Sequence, residues 1–428
     1  MKKQNNGLLL DTHEKPKLER WIVLSLQHVF AMFGATILVP ILVNEACGTE
    51  VLTIPVALMT SGIGTLIYIL CTKGRSPVYL GSSFAFITPM IVGFSKAGKE
   101  GVFTGIMTVG IIYVIVALLI KLLGKKWIDK VLPPIVIGPM IMIIGLSLAP
   151  TAISEIGLAA GVKFELNNII VALVTFITTA VVALKGKGFM KVIPFLIGIG
   201  AGYIVAVCLG MVDFYPFIEA KFFSLPKIFV PFKDYGIDFG AVLTIAPVAL
   251  VTIAEHIGDH TALSAIINKN LLKDPGLDRT LLGDGIATFV AGFLGGPANT
   301  TYGENTSVVG MTKVASVWVL GLAAVIAICF GFMGKVSALL GTIPSAVLGG
   351  VSLLLYGFIA VNGLKVLVQN NIDFNKTRNI IISASMLVIG LGGATIAINT
   401  ASVSIAISGM SLAAIIGILL NLLLPKEN

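Results

Sequence analysis

Charged side chains are scarce in this sequence: Asp, Glu, Lys and Arg make up 12% of its 428 residues. A water-soluble domain carries roughly 25%, because charge must cover its surface, so about half of that cover is missing here. A soluble globular protein is excluded. Hydrophobic residues reach 56% and the mean hydropathy is +1.00, so the missing surface must face lipid. Cysteine is rare as well. Cys47, Cys71, Cys208 and Cys329 lie far apart, form no CxxC, and three of them sit inside apolar runs. They read as small core residues rather than as disulfides or a thiolate metal site. The four histidines form no ligand set with zinc spacing, and neither GxSxG nor a phosphate-cradling loop occurs. No metal or cofactor is therefore expected, and a membrane-embedded enzyme finds little chemistry to build on.

What is present is a succession of apolar runs broken by Pro, Gly or charge. Each crossing of about 30 Å of hydrocarbon needs about 20 such residues. Candidate spans fall near 21–43, 51–72, 78–94, 101–123, 131–150, 167–184 and 190–211. After a polar loop at 212–238 they resume near 239–260, 281–296, 300–314, 316–334, 341–363, 378–395 and 401–424. The sequence thus predicts fourteen segments, seven on each side of the loop, and leaves no room for a soluble domain. A net charge of +8 would suggest nucleic acid in a soluble protein. In a membrane protein it marks sidedness, and no nucleic-acid partner is expected. The first twenty residues, MKKQNNGLLLDTHEKPKLER, lack a cleavage pattern and read as a cytoplasmic tail. With the N-terminus inside, the inner segments collect Lys2, Lys3, Lys15, Lys17, Arg20, Lys73, Arg75, Lys121, Lys125, Lys126 and Lys130. Lys185, Lys187, Lys191, Lys269, Lys273, Arg279, Lys313, Lys365, Lys376, Arg378 and Lys426 follow on the same side, most of the 29 cations. Both termini are expected in the cytoplasm.

An odd number of spans per half makes a duplicated unit insert the second time upside down, giving inverted repeats. Pro133 and Gly138 at the fifth span recur at the same spacing as Pro344 and Gly349 at the twelfth. The third and tenth spans are both short, poorly apolar and rich in small residues: SPVYLGSSFAFITP and GGPANTTYGENTSV. Interrupted segments at matching positions of two halves are the best sequence pointer to a transport site. Backbone can leave the helix at membrane depth only where protein or a cavity surrounds it. Both stretches are predicted to be extended strands followed by half-helices.

Most of the 21 acids lie in loops or tails, but Glu255, Asp259 and Glu304 fall inside predicted spans. A charge at mid-membrane costs at least about 2.5 kcal/mol. Glu255 and Asp259, in APVALVTIAEHIGDHTAL, are four residues apart and share one helix face. Two stacked carboxylates repel, so one is expected to hold a proton, which makes the pair a proton-coupling candidate. The plainer reading makes these acids glue between helices, and it weighs most for Asp259, near the cytoplasmic end. Asp284, flanked by glycines, reads as a helix-end or packing residue. His256 and His260 fall on other faces of the same helix and read as packing or hydrogen-bonding groups, while His28 is expected to bond across helices with Gln27. Glu304 meets Tyr302 and Gly303 where a half-helix should begin, so free backbone N–H groups face the site. Phe84 would serve from the opposite direction. A carboxylate, backbone donors and aromatic faces suit a flat heterocycle with alternating carbonyl and N–H groups; plain core packing is the alternative for Phe84 and Tyr302.

At these residues the sequence closely resembles the nucleobase/ascorbate transporter family, and within it the bacterial uracil permeases. The resemblance runs over nearly the whole chain and is densest in SLQHVFAMFGATILVP, YLGSSFAFITP, TIAEHIGDH, LLKDPGL, PANTTYGENTSVVGMTK and GGVSLLLYG. It implies an all-α polytopic membrane protein of fourteen transmembrane segments in two inverted seven-segment repeats, with short strands in segments 3 and 10. A cytoplasmic tail (1–20) would precede a core domain at 21–124 and 239–335 and a gate domain at 125–238 and 336–428. By position, Glu255 and Glu304 resemble the family's two substrate-binding carboxylates, Phe84 and Gly303 match positions whose backbone contacts the base, and Ala35 matches one packing beside it. Two departures stand out. The family signature reads here ENTSVVGMTK, so Ser307 stands where Gly is usual, and Asp259 occupies a position where some uracil permeases carry His.

The resemblance implies a proton-coupled uracil importer of the cell membrane working by alternating access. Glu255, Glu304, Phe84, Gly303, Ala35 and Tyr302 would bind substrate, and Glu255, Asp259 and His260 would carry the proton. Partners are then uracil, protons and lipid, with some relatives forming homodimers through the gate. A purine, xanthine or urate carrier is the alternative on the same scaffold. An anion exchanger or channel would be expected to put a cation at the half-helix junction, where this sequence has acids.

Overall fold

The structure, a computed structural model, describes residues 8–229, 238–399 and 404–425. Lys2, Lys3 and Lys426 lie outside the described residues. Two long helices, α1 (Leu18–Cys47) and α2 (Ile54–Cys71), lead to a three-residue strand β1 (Leu80–Ser82). A 3-10 turn at Phe84–Phe86 then opens α3 (Ile87–Leu123). Gly98, at φ 63° and ψ −161°, breaks α3 into two arms, because only glycine enters that region without strain. Next come α4 (Lys126–Val131), α5 (Pro134–Ser147), α6 (Ala149–Glu155), α7 (Leu166–Lys185), α8 (Pro194–Cys208) and α9 (Tyr215–Glu219). The second half runs α10 (Phe239–Ile245), α11 (Val248–Ile267), α12 (Leu277–Phe293), β2 (Asn299–Thr301), α13 (Gly303–Thr312), α14 (Val317–Gly331) and α15 (Gly334–Gly341). It closes with α16 (Ser345–Gln369), α17 (Thr377–Leu391), β3 (Thr395–Asn399), β4 (Ser404–Ser408) and α18 (Gly409–Leu423). Among the described residues, 7 helices are long and apolar enough to cross a membrane.

Two sets of helices pack around the site. α1, α2, α3, α10, α12 and α14 pack on one another, and α5, α7, α8, α16, α17 and α18 form a second set. Glycines allow the closest approaches. A Cβ at Gly110 of α3 would lie 2.5 Å from the Phe289 amide nitrogen of α12, and one at Gly363 of α16 would lie 2.5 Å from the Gly138 carbonyl oxygen of α5. Helices meet backbone to backbone in this way when lipid supplies no hydrophobic force between them. The outward faces are apolar instead of charged: Ile111, Ile115, Leu118 and Leu122 make an exposed stripe on α3, and Ile170, Leu173, Ile177 and Val181 make another on α7. These stripes account for the missing charge and fit a multi-pass membrane protein.

β1 and β2 pair antiparallel, Leu80 opposite Thr301, Gly81 opposite Thr300 and Ser82 opposite Asn299. The pair extends through Tyr302 N donating to Tyr79 O (3.0 Å) and Ser83 N to Ala298 O (2.9 Å). Side chains of α2 and α12 satisfy what the strands leave over. Ser61 Oγ donates to Leu80 O (2.7 Å), Leu80 N donates to Thr65 Oγ1 (2.9 Å), and Thr288 Oγ1 donates to Asn299 O (3.1 Å).

Two expectations change. Where the last two predicted spans adjoin, β3 pairs antiparallel with β4, which takes the start of the last span out of the helix. The cysteines are free and none is a core residue: Cys208 and Cys329 are exposed and the other two half-buried, since outward helix faces accept a weakly polar thiol. The described part of the N-terminal tail is pinned to the second half of the chain. Leu9 N donates to Lys313 O (2.7 Å), Ala315 N to Leu10 O (2.9 Å) and Val317 N to Thr12 O (3.0 Å), while Lys269 pairs with Asp11 at 2.5 Å.

The α3–α12 contact yields a first prediction. Gly110→Leu forces a side chain into the α12 backbone, which cannot shift as a rotamer can, so at least about 1–3 kcal/mol of stability should be lost. Thermal unfolding of the detergent-purified protein should move well down, whereas Gly200→Ala, at a helical site with open space, should cost far less.

Candidate functional site

A cavity of about 570 Å³ lies where the two helix sets meet, within the range of small-molecule sites. α11 contributes Glu255 and Asp259; β2 contributes Thr300 and Thr301; the start of α13 contributes Gly303, Glu304 and Ser307. Phe84 and Tyr302 also line it. The facing wall comes from the second set, with Leu355, Phe358, Asn362 and Lys365 of α16, and Lys191 stands with Lys365 at the wet end.

Helical spacing puts Glu255 and Asp259 one turn apart on the cavity face of α11. Each carboxylate receives a hydroxyl from the neighbouring strand: Thr300 Oγ1 donates to Glu255 Oε2 (3.2 Å) and Thr301 Oγ1 to Asp259 Oδ2 (2.5 Å). The two threonines were not singled out in the sequence, although NTTYGEN drew attention as a segment. Glu304 sits in the first turn of α13, whose cap residue Tyr302 is extended at φ −103° and ψ 113°. The opening amides of a helix have no intrahelical partner, so they point donors at the cavity beside the carboxylate. The 3-10 turn that begins at Phe84 does the same from β1. Phe84 packs edge-on against Tyr356 of α16, with ring centroids 5.9 Å apart.

The remaining sequence-derived residues separate. Tyr302 reaches the cavity with its ring, but its hydroxyl donates to Ser82 O (3.1 Å) and accepts from Thr36 Oγ1 (3.1 Å). It pins the strands to α1. Ala35 lines a narrow crevice next to Glu304, beside the cavity and not within it. His260 does not reach the cavity at all. Its Nε2 lies 2.5 Å from Tyr68 Oη, which in turn lies 2.8 Å from Ser76 Oγ, and its Nδ1 lies 2.7 Å from His256 O. Asp284 is no helix-end residue. It is fully buried in mid-α12 with Oδ2 2.9 Å from His256 Nδ1. His28 bonds across helices as expected, but to Asn305 (3.1 Å), not to Gln27. This tie fixes α13 on α1. No group of three His, Cys, Asp or Glu suited to a metal ion occurs among the described residues.

The arrangement offers carboxylates that accept from N–H groups, backbone amides that donate to carbonyls, and aromatic faces that stack, all in one chamber open to both helix sets. Comparison with known proteins identifies its setting. A family model described as "Permease family" matches residues 19–398. The uracil permease of Bacillus subtilis (strain 168) is 47% identical over 423 residues, which is 97% of this chain and 95% of that protein. The uracil permease of Escherichia coli (strain K12) is 42% identical over 412 residues, 96% of this chain and 92% of that protein. Among solved structures, the transmembrane domain of the cyanobacterial bicarbonate transporter BicA superposes with a TM-score of 0.60 at 14% identity, covering 94% of this chain and 97% of that one. SLC26A9 superposes at 0.67 with 12% identity, covering 95% and 66%. At such identities these two speak for the fold alone. The family model spans most of the chain and close relatives cover nearly all of it, so the chain belongs to the permease family and is a transporter rather than an enzyme.

Proposed function

We propose that the protein imports uracil together with protons across the cell membrane by alternating access. The observation that carries this reading is the convergence of Glu255, Asp259 and Glu304 with the opening amides of two half-helices in one cavity. Uracil presents ring N–H donors beside carbonyl acceptors. A carboxylate at Glu255 or Glu304 accepts from the former, and the amides at Gly303 and Phe84 donate to the latter. Relatives named uracil permease at 42–47% identity support the substrate.

In this reading the chain has fourteen segments in two inverted repeats, with both termini cytoplasmic. The first helix set is the core domain (21–124, 239–335) and the second the gate (125–238, 336–428), and homodimers would form through the gate. Lys191 and Lys365 at the cavity mouth belong to the cation-rich side, so in this reading the cavity opens inward. The core carries Glu255, Asp259 and Glu304, while Phe358, Asn362 and Lys365 cover them from the gate. Rocking one set against the other would expose the same site to either side. Three acids in one lipid-shielded cavity repel, and a proton on Glu255 or Asp259 removes part of that repulsion. Proton and substrate then favour the same conformational change, since a ligand shifts an equilibrium only through different affinities for its two states. His260, held by Tyr68 and Ser76 behind the cavity, would act on the proton site through α11 and not by touching substrate.

Ser307 on the cavity wall favours keeping a second reading, a purine or xanthine carrier, because a hydroxyl stands where the family usually has Gly. An anion carrier of similar fold is disfavoured by the acids at the junction.

Glu255→Gln and Glu304→Gln should each abolish uptake of labelled uracil by cells while the membrane-inserted amount stays unchanged; undiminished uptake in both removes the site assignment. Uracil accumulation should collapse when an uncoupler dissipates the proton gradient, and accumulation that survives would exclude symport. Excess unlabelled xanthine should leave uracil uptake intact, whereas strong competition would favour the purine reading.

A further inference from the structure

Far from the cavity mouth, α6 ends on Glu155 against α16. A Cβ at Gly349 of α16 would lie 2.8 Å from Glu155 Cβ, so the two segments touch without a side chain between them. Ser352 and Tyr356 follow on the same face of α16, three and seven residues on. Glu155 is 8% exposed, Ser352 0% and Tyr356 2%. Both carboxylate oxygens of Glu155, Ser352 Oγ and Tyr356 Oη are buried without a hydrogen-bond partner. Orphaned groups of this kind are rare, and each calls for an explanation. The charged group acting on Glu155 is another acid, Glu45 in the last turn of α1, so no cation offsets it. Gly349 and Lys365 are separated along α16 by about 24 Å at 1.5 Å per residue. Glu155 therefore sits near the end opposite the cavity mouth, with Glu45 of the other helix set facing it.

We propose that Glu155 is a proton latch on the outer side: the carboxyl takes up a proton from external water as the outer side closes and releases it when that side opens. This rests on the reading of the chain as a proton-coupled uracil importer. In the closed arrangement an ionised Glu155 would be a buried charge with no partner and an acid nearby, which costs more than binding a proton. When α6 and α16 move away from the end of α1, water reaches the carboxylate and it ionises. An ionised Glu155 then opposes closure, by up to about tenfold per pH unit above its titration point. Tyr356 ties the latch to the transport site, because its ring packs on Phe84 while its hydroxyl lies near Glu155 and Ser352.

The test uses the full-length protein reconstituted in liposomes, with inside pH fixed and outside pH raised from about 6 to about 8.5. Initial entry of labelled uracil into wild-type liposomes should fall as external pH rises. Glu155→Gln, permanently neutral, should show a shallower fall, keeping only the part that proton symport itself imposes, and exceed wild type several-fold at the alkaline end, Glu155→Met should behave alike, and Glu155→Asp should retain the full fall. A wild type without the alkaline decline, or a Glu155→Gln protein with the wild-type profile, overturns the latch. So does failure of both neutral variants to fold while Glu155→Asp folds, since the carboxylate would then be structural. Exchange of labelled for unlabelled uracil at equal pH on both sides checks the underlying reading separately. No exchange in wild type removes that reading and the latch together, whereas exchange with an unaltered profile in Glu155→Gln removes the latch alone.

Discussion

The architecture depends on one constraint: backbone that leaves the helix at membrane depth must find every hydrogen bond inside the protein. β1 and β2 meet it by pairing with each other, and the hydroxyls of Ser61, Thr65 and Thr288 supply the rest from α2 and α12. Those three side chains come from helices that flank the strands on the same helix set. The strands in turn end on two helix starts, Phe84 and Gly303, whose free amides face one chamber. Without the antiparallel pair there would be no opposed half-helices, and without those no polar recognition surface inside an otherwise apolar protein. Close helix packing at glycines such as Gly110 holds the frame around this pair.

The same constraint governs the acids. In the chamber the carboxylates of Glu255 and Asp259 are answered by Thr300 and Thr301 from the strand itself. One short segment therefore both interrupts the helix and positions the charged pair. The second layer of polar contacts faces away from the chamber: Asp284 with His256, and His260 with Tyr68 and Ser76. These bonds hold α11 against α2 and α12, so its acid face has a fixed azimuth relative to α13. A shift of α11 about its axis would break that buried chain before it moved a carboxylate out of the cavity.

Much of this was legible in the sequence, for identifiable reasons. Apolar runs report helices, poorly apolar runs rich in small residues report their interruption, and acids within runs report a site; Glu255, Asp259, Glu304, Phe84 and Gly303 do share one cavity. What escaped depends on angle rather than position along the chain. Residues 255 and 259 share a face of α11, and each following residue is rotated by about 100°, so His260 turns inward while Asp259 faces the chamber. Period alone told the two faces apart but not which neighbour each would meet, so Asp284 opposite His256 and Asn305 opposite His28 could not be read. The threonines were missed because a hydroxyl in a strand carries no periodic signal, and the cysteines because an apolar run does not say whether a face meets protein or lipid.

Glu155 marks the limit of that logic and also its use. Sequence reading weighed acids inside predicted spans and left those near span ends to loops and tails, which suits Glu45 and fails for Glu155. The difference lies in packing. At Gly349 the neighbouring helix approaches without a side chain, closing over the carboxylate, whereas the end of α1 leaves Glu45 exposed. A carboxylate enclosed against α16, which also lines the chamber, would not change its surroundings independently of that chamber. Tyr356, with its ring against Phe84 and its hydroxyl near Glu155, would make the link mechanical, coupling closure at one end to occupancy at the other through a single helix.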